Sequence, residues 1–391
     1  MSAQNAGHGS PGMERRRLGW LAVAVAALTV LTGCQPSAPK PGPSSSATAS
    51  AGPGTSAPGT TSAPVGTGTA ATGKVGHVFI INLENKGYET TWGSGSQAPY
   101  LSQTLRSKGV LLTQYYAIAH LSAPNYLAQI SGQGSNAATR KDCTTYSALD
   151  STGTGADGQL QGNGCVYPES VQTLAGQLTS AGKTWKGYME DMSSPCLHPE
   201  PGAKDSHQGA RMGDQYATRH NPFVYFKSIT STPDCQANDV NFSQLAGDLA
   251  SVQTTPNLSY ITPNLCNDGH DSPCVDGRPG GLVSADAWLK QQVPMIMDSP
   301  AFKQDGMLVI TFDEAEGNAT GPSSGIPGGT AGGRIGALVL SPQVKGGTSS
   351  DTLYNHFSLL ASIEDIFSLP YLGYAGASGL NRFGSDVFNA G

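Results

Sequence analysis

Two stretches of this chain are apolar from end to end, and both stop at acids. His77-Val-Phe-Ile-Ile-Asn-Leu83 runs straight into Glu84-Asn85, and Met307-Leu-Val-Ile-Thr-Phe312 runs into Asp313-Glu314. A strand without polar alternation must be covered on both faces, which is the condition of a parallel sheet between helices. Further strands are predicted at Val110 to Tyr116, Thr184 to Glu190, Asn257 to Thr262 and Ile335 to Leu340. Between them, helical spacing is predicted over Tyr100 to Lys108, from Pro124 to Ile130, and over Glu169 to Ala181, Asn241 to Ser251, Ser284 to Met297 and Phe357 to Phe367. Pro294 is expected to kink or end the fifth of these. The alternation predicts an α/β fold with a mainly parallel central sheet. Ligands of such sheets sit beyond the carboxyl ends of the strands.

The chain does not begin with this pattern. Met13-Glu14-Arg15-Arg16-Arg17 is a basic segment, and Leu18 to Leu31 is an apolar one too short to span a membrane comfortably. It ends in Leu31-Thr32-Gly33-Cys34, which resembles a bacterial lipobox. The expectation is a lipoprotein signal peptide over residues 1–33, with lipid on Cys34 holding an exported protein to the outer face of the cytoplasmic membrane. Residues 34–74 are built from Ser, Ala, Pro, Gly and Thr and read as a disordered tether. Residues 75–391 are then the catalytic domain. Removing residues 1–33 leaves 19 basic and 27 acidic side chains, a net charge of −8. With no basic stripe, the chain gains nothing from a phosphate backbone, so nucleic acid is not expected as a partner. Oligomeric state is not legible.

Beyond Cys34 there are six cysteines: Cys143, Cys165, Cys196, Cys235, Cys266 and Cys274. An even number in an exported chain suggests three disulfides, with 15 pairings open to six cysteines. Neighbour pairing (143 with 165, 196 with 235, 266 with 274) is the expectation. None has C-x-x-C spacing, which argues against a zinc–thiolate site.

Four polar clusters follow predicted strands: Glu84-Asn85, His120-Leu-Ser122-Ala-Pro-Asn125, Asn264 to Asp271, and Asp313-Glu314. Taken singly, each is an ordinary turn or cap. Taken together at strand ends, the oxygen groups of Glu84, Asn85, Asp313 and Glu314 suit a divalent cation, with Mg²⁺, Ca²⁺, Mn²⁺ and Zn²⁺ all open. Ser122 lies just before a helix whose first residue is expected to be Pro124. That makes Ala123 the cap and puts Ser122 one place outside, where free N–H groups favour a phosphate. A nearby metal would lower the pKa of its hydroxyl. His120, His270 and His356 are candidate phosphate ligands or general acids, and Asn125 a candidate substrate contact. His220 is read as structural. There is no G-x-S-x-G elbow around Ser122, no Walker loop, and no G-x-G-x-x-G opening a helix.

These residues resemble, in order, five motifs of the bacterial and fungal phosphoesterase family. They are Leu83-Glu84-Asn85, His120-x-Ser122-x-Pro124-Asn125-Tyr126, Pro263-Asn264-Leu265-Cys266-Asn267-Asp268-Gly269-His270-Asp271, Thr311-Phe312-Asp313-Glu314, and Asn355-His356-Phe357-Ser358-Leu359-Leu360 through Ile363-Glu364-Asp365. That family contains acid phosphatases and non-specific phospholipases C. The resemblance implies an alkaline-phosphatase-like α/β/α sandwich. It implies a metal held by Glu84, Asn85, Asp313 and Glu314, Ser122 as nucleophile, and His120, His270 and His356 lining a phosphate pocket. The phospholipase branch often carries E-N-R-S-F-D, a threonine nucleophile and a C-terminal extension. This chain has Glu84-Asn85-Lys86-Gly87-Tyr88-Glu89 and Ser122, and stops soon after its last helix. The expected activity is therefore acid-phosphatase-like hydrolysis of phosphate esters through a phosphoserine. A phospholipase-C-type phosphodiesterase and a non-catalytic surface binding lipoprotein are the alternatives.

Overall fold

The computed structural model describes residues 74–322 and 326–389. The signal segment 1–33, Cys34 and all but the last residue of the 34–74 tether lie outside the described residues.

Among the described residues, eight strands form the main sheet. In chain order they are β1 (His77–Leu83), β2 (Val110–Leu112), β3 (Trp185–Met189), β4 (Asp239–Asn241), β5 (Leu258–Thr262), β6 (Gly306–Phe312), β7 (Ala337–Leu340) and β8 (Thr348–Ser350). Their order across the sheet is β8-β2-β7-β6-β1-β5-β3-β4. All neighbours are parallel except β7, which runs antiparallel to both β2 and β6. Every residue of β1 and β6 is buried, as their unbroken apolar runs require. The expected α/β fold with a mainly parallel sheet is therefore the observed one. The edge strand β8 was not predicted, because Thr348-Ser-Ser350 carries no apolar signal and is placed by pairing with β2.

Helices flank the sheet in two groups. In one, α1 (Ser122–Ser131), α2 (Leu174–Ser180) and α5 (His356–Phe367) pack together. In the other, α3 (Gly281–Asp298) packs against α4 (Pro300–Asp305) and the π-helical turn Tyr100–Leu105. The helix α3 runs through Pro294 instead of ending there. Proline removes one backbone donor, and burial of Trp288, Leu289, Val293 and Ile296 along the helix outweighs that loss. No helix among the described residues is long and apolar enough to cross a membrane.

The three disulfides join Cys143 to Cys165, Cys196 to Cys235, and Cys266 to Cys274, the neighbour pairing expected. Each closes one of the long irregular segments around the carboxyl end of the sheet. The 141–167 segment also carries an exposed hairpin, Asp150–Thr154 with Leu160–Asn163.

One acid is buried away from the polar clusters. Glu364 of α5 is fully buried, accepts a hydrogen bond from Leu372 N at 2.9 Å through Oε1, and leaves Oε2 without a partner. Burial pushes its pKa up to about 9. The folded state therefore keeps a proton that the unfolded chain releases near the ordinary value of 4.5. Stability is expected to fall as pH rises from about 4.5 toward about 9, with a slope of at most about 1.4 kcal/mol per unit from this group. Glu364→Gln mimics the neutral carboxyl and should flatten that slope. Urea unfolding midpoints of both proteins at pH 5 and pH 8 check it, and equal slopes would count against a neutral Glu364.

Candidate active site

The register of two parallel strands builds the site. Leu83 pairs with Phe312 in the β1–β6 ladder. The next residues, Glu84 and Asp313, are thus forced side by side although 229 positions apart, and both are fully buried. β5 borders β1 on its other side. The loop beyond β5 returns so that Glu84 N donates to Asp268 O at 2.8 Å. Gly269 has φ +103°, and a Cβ there would stand 3.2 Å from Glu84 O, so this turn needs glycine. Asn85 takes φ +55°, a left-handed conformation that asparagine tolerates. Its N–H donates to Asp313 Oδ1 at 2.9 Å and its side-chain amide to Glu84 Oε2 at 3.0 Å.

Ser122 meets the same acid. Its hydroxyl is buried and donates to Glu84 Oε2 at 3.1 Å. The helix α1 begins at Ser122 itself, not at Pro124, and its N-cap is Leu121. The reason is backbone geometry: Leu121 turns at φ +69°, so the helical stretch starts one residue later. Pro124 then falls third, where its missing N–H still costs nothing. The expectation of free helix N–H groups for a phosphate is also narrowed. Ala123 N–H is already donated to Asp142 Oδ1 at 3.0 Å, and Pro124 has none.

The histidines divide. His120 bonds Glu314 through Nδ1, and its Nε2 donates to Ala319 O at 2.7 Å. His270 is the more open, with 35% of its side chain exposed. Its Nδ1 lies 2.7 Å from Asp271 Oδ1 and its Nε2 3.3 Å from Arg219 Nη2. A guanidinium only donates, so His270 Nε2 accepts and the ring proton sits on Nδ1. His356 does not reach a substrate position. It is fully buried behind Asp313, with Nε2 donating to Asp313 O at 2.7 Å and Nδ1 facing Tyr115 Oη at 3.2 Å and Gln129 Nε2 at 3.3 Å. Burial lowers its pKa to about 4, so it is a neutral brace on the Asp313 backbone. Asn125 is likewise no substrate contact. Its carbonyl accepts from Ile118 N and Ala119 N, and its amide donates to Ala119 O and Leu121 O.

His220, read from sequence as structural, stands at the centre. Its Nε2 lies 3.0 Å from Glu84 Oε1 and its Nδ1 3.4 Å from Asp268 Oδ2, with its ring stacked on Tyr126. The Arg219-His220-Asn221-Pro222-Phe223 run follows no predicted strand, so only its tertiary placement reveals it. Arg219 and Asp142 join the site in the same way, whereas Asp268 belongs to the Asn264 to Asp271 cluster beyond β5.

Burial raises the Glu84 pKa, but the positive charge of His220 outweighs this and holds it at about 2. Asp313 goes the other way: burial first, then repulsion from Glu84 and Glu314, pushes its carboxyl well up. Burial raises Glu314 to about 7 against the opposing pull of His120. Such a set is costly unless something positive offsets it. Four buried polar atoms here find no hydrogen bond of acceptable geometry: Glu84 Oε1, Asp268 Oδ2, Asp313 Oδ2 and His220 Nε2. The close approach of His220 Nε2 to Glu84 Oε1 is thus a contact of charge, not a well-formed hydrogen bond. Orphaned oxygens and one imidazole nitrogen are a donor set that fits a divalent cation.

Fold and cluster together define an α/β protein with an acid- and histidine-lined site at the carboxyl ends of parallel strands. A model of the phosphoesterase family matches residues 94–370, and the chain belongs to that family. It is 30% identical over 295 residues to a probable acid phosphatase of Kluyveromyces lactis, covering 75% of this chain and 59% of that one. It is 30% identical to an acid phosphatase of Aspergillus fumigatus, covering 75% and 55%. A phosphatidylinositol-3-phosphatase of Mycobacterium tuberculosis is 27% identical, covering 80% and 83%. The chain spans a little over half the length of the fungal relatives. A solved protein of the alkaline phosphatase superfamily from Vibrio parahaemolyticus superposes with a TM-score of 0.46 at 13% identity, covering 77% of this chain and 68% of that one.

The reassignment of Asn125 carries a test. Asn125→Ala strands two buried backbone donors and two carbonyls, and should lower unfolding free energy by roughly 3 kcal/mol. Equilibrium denaturation measures it. A stable variant would argue that Asn125 is free to contact substrate.

Proposed function

We propose that this chain hydrolyses phosphate esters, with Ser122 as nucleophile and a divalent cation as cofactor. The observation that carries the reading is the Ser122 hydroxyl, buried and hydrogen-bonded to Glu84 among acids with orphaned oxygens. Membership of a family whose similar proteins include acid phosphatases and a phosphatidylinositol phosphatase supports it.

Glu84, Asn85, Asp313 and Glu314 would hold the cation, with Asp268 and His220 supplying further donor atoms. When bound, the cation lowers the pKa of a nearby hydroxyl and neutralises charge on the transferring phosphoryl group. Glu84 is too weak a base, at a pKa of about 2, to take the serine proton. Its hydrogen bond orients Oγ instead. Ser122 releases its hydroxyl proton to solvent, Oγ attacks phosphorus in line, the bond to the leaving oxygen breaks, and a phosphoseryl ester remains. Water then attacks phosphorus and returns Ser122. His120, hydrogen-bonded to Glu314 through Nδ1, is the residue we assign to pass a proton to the leaving oxygen. His356 and Asn125 hold Asp313 and the Leu121 turn in place. The lipobox-like Leu31 to Cys34 and the segment after it support a tethered position on the outer face of a bacterial membrane, facing exported phosphate esters.

Ser122→Ala should lower turnover of an aryl phosphate by at least ~10³-fold while leaving the unfolding midpoint nearly unchanged. Undiminished turnover would remove Ser122 as nucleophile. Dialysis against a chelator should abolish activity, and adding back Mg²⁺, Ca²⁺, Mn²⁺ or Zn²⁺ singly should restore it with one favoured ion. Full activity after metal analysis shows the protein to be stripped would end the cation assignment.

A further inference from the structure

The Thr218–His220 segment that delivers His220 to the site is a single 3₁₀ turn. One such turn has little hydrogen bonding of its own, so side chains on either side of it must hold it in place. On the amino side, Thr218 Oγ1 donates to Asp205 Oδ1 at 2.9 Å. On the carboxyl side the anchor is Asn221, which is fully buried. Its amide donates to Asp239 Oδ2 at 2.8 Å and to Tyr216 Oη at 3.1 Å, and its Oδ1 accepts from Phe223 N at 3.2 Å.

Asp239 is the first residue of β4 and is also fully buried. Its backbone is fixed twice, by pairing with Gly187 of β3 and by a hydrogen bond from Cys196 N to its carbonyl at 2.9 Å. A Cβ on Gly187 would stand 2.6 Å from the Phe223 ring and 3.1 Å from Asp239 Oδ1, so this carboxyl and the Asn221 segment meet over a residue without a side chain. Asp239 Oδ1 has no partner, and burial pushes the carboxyl up to about 7 against the Asn221 hydrogen bond. A buried acid with one oxygen bonded and one orphaned is costly, and an apolar side chain of similar size would cost less. What this acid secures is Asn221. From there the path to the nucleophile is short. Asn221 is peptide-bonded to His220, whose Nε2 lies 3.0 Å from Glu84 Oε1, and Glu84 Oε2 accepts from Ser122 Oγ at 3.1 Å.

We infer that Asp239 is a positioning residue for phosphate-ester hydrolysis: through Asn221 it holds the His220 ring against Glu84, and so keeps Glu84 in place to orient Ser122. The inference rests on the phosphate-ester reading above and deepens it. The positive charge of His220 is what holds Glu84 ionised. A ring that slips away withdraws that charge, and with it the carboxylate that accepts from Ser122. Asp239 itself touches no substrate, so its contribution belongs in kcat and leaves KM nearly alone. A misplacement of about 1 Å at a catalytic group can cost about 100-fold in rate.

The test uses the full chain with 4-nitrophenyl phosphate at pH 6. Asp239→Ala should lower kcat at least ~30-fold and change KM less than ~3-fold. Asp239→Asn keeps an oxygen that accepts from Asn221 and matches the neutral acid, so it should retain kcat within ~5-fold. In a His220→Gln background, Asp239→Ala should lower kcat less than ~3-fold further, because the two residues act as one unit. A second readout needs no turnover. The imidazole NMR signals of His220, identified by their loss in His220→Gln, should shift or broaden in Asp239→Ala and stay in place in Asp239→Asn. Losses that multiply in the double variant, a loss in KM equal to that in kcat, or His220 signals unmoved by Asp239→Ala would each overturn the inference while leaving Ser122-dependent hydrolysis standing. An Asp239→Asn variant as impaired as Asp239→Ala would also overturn it, since the hydrogen bond to Asn221 would then not be what matters. If the wild-type protein turns over no phosphate ester, the phosphate-ester reading fails, and the NMR arm still decides whether Asp239 positions His220.

Discussion

The in-register parallel pairing of β1 with β6 is the constraint on which the site depends. Because Leu83 faces Phe312, Glu84 and Asp313 leave the sheet together and are buried together. Two carboxyls in that position repel, and neither is solvated. The fold answers with His220 against Glu84, with Asn85 bridging the two acids, and with a raised pKa at Asp313. A slip of one residue in the pairing would turn every side chain of a strand to the other face and dissolve the cluster. The apolar runs on both strands are therefore what fixes the chemistry at their ends.

Around that pair the loops are held by covalent and polar ties instead of a core. Cys266–Cys274 brackets His270 and Asp271, and Cys143–Cys165 sits one residue from Asp142, which caps the serine helix. Asp142 and Cys143 both take positive φ. Non-glycine residues persist in that conformation only where neighbours over-determine it. His356, Tyr115 and Gln129 form a buried layer beneath Asp313. Site precision thus comes from elements that never touch a substrate.

Reading from sequence picked out, by their places at strand ends, polar residues that the structure brings together. Glu84, Asn85, Asp313 and Glu314 were legible as a group because two polar pairs each end an unbroken apolar run, although either pair alone reads as a turn. Ser122 was legible from its neighbours, though its helix begins two residues earlier than the spacing indicated. His356 and Asn125 look like ligands in one dimension and prove to be braces, since hydrogen-bond commitments to backbone cannot be read from residue type. His220 and Arg219 were missed for the opposite reason. They lie in a long irregular segment with no periodicity, and only its return across the sheet brings them to Glu84.

The sequence by itself determined the class of fold, through uniformly apolar strands alternating with helices, and the location of the site, through polar clusters directly after those strands. It also determined family membership, through five ordered motifs. Tertiary structure decided which acids share a charge problem and which histidines stand beside them. The physical reason is that strand burial is a local property of composition, whereas register, loop return and hydrogen-bond partnership join residues more than a hundred positions apart.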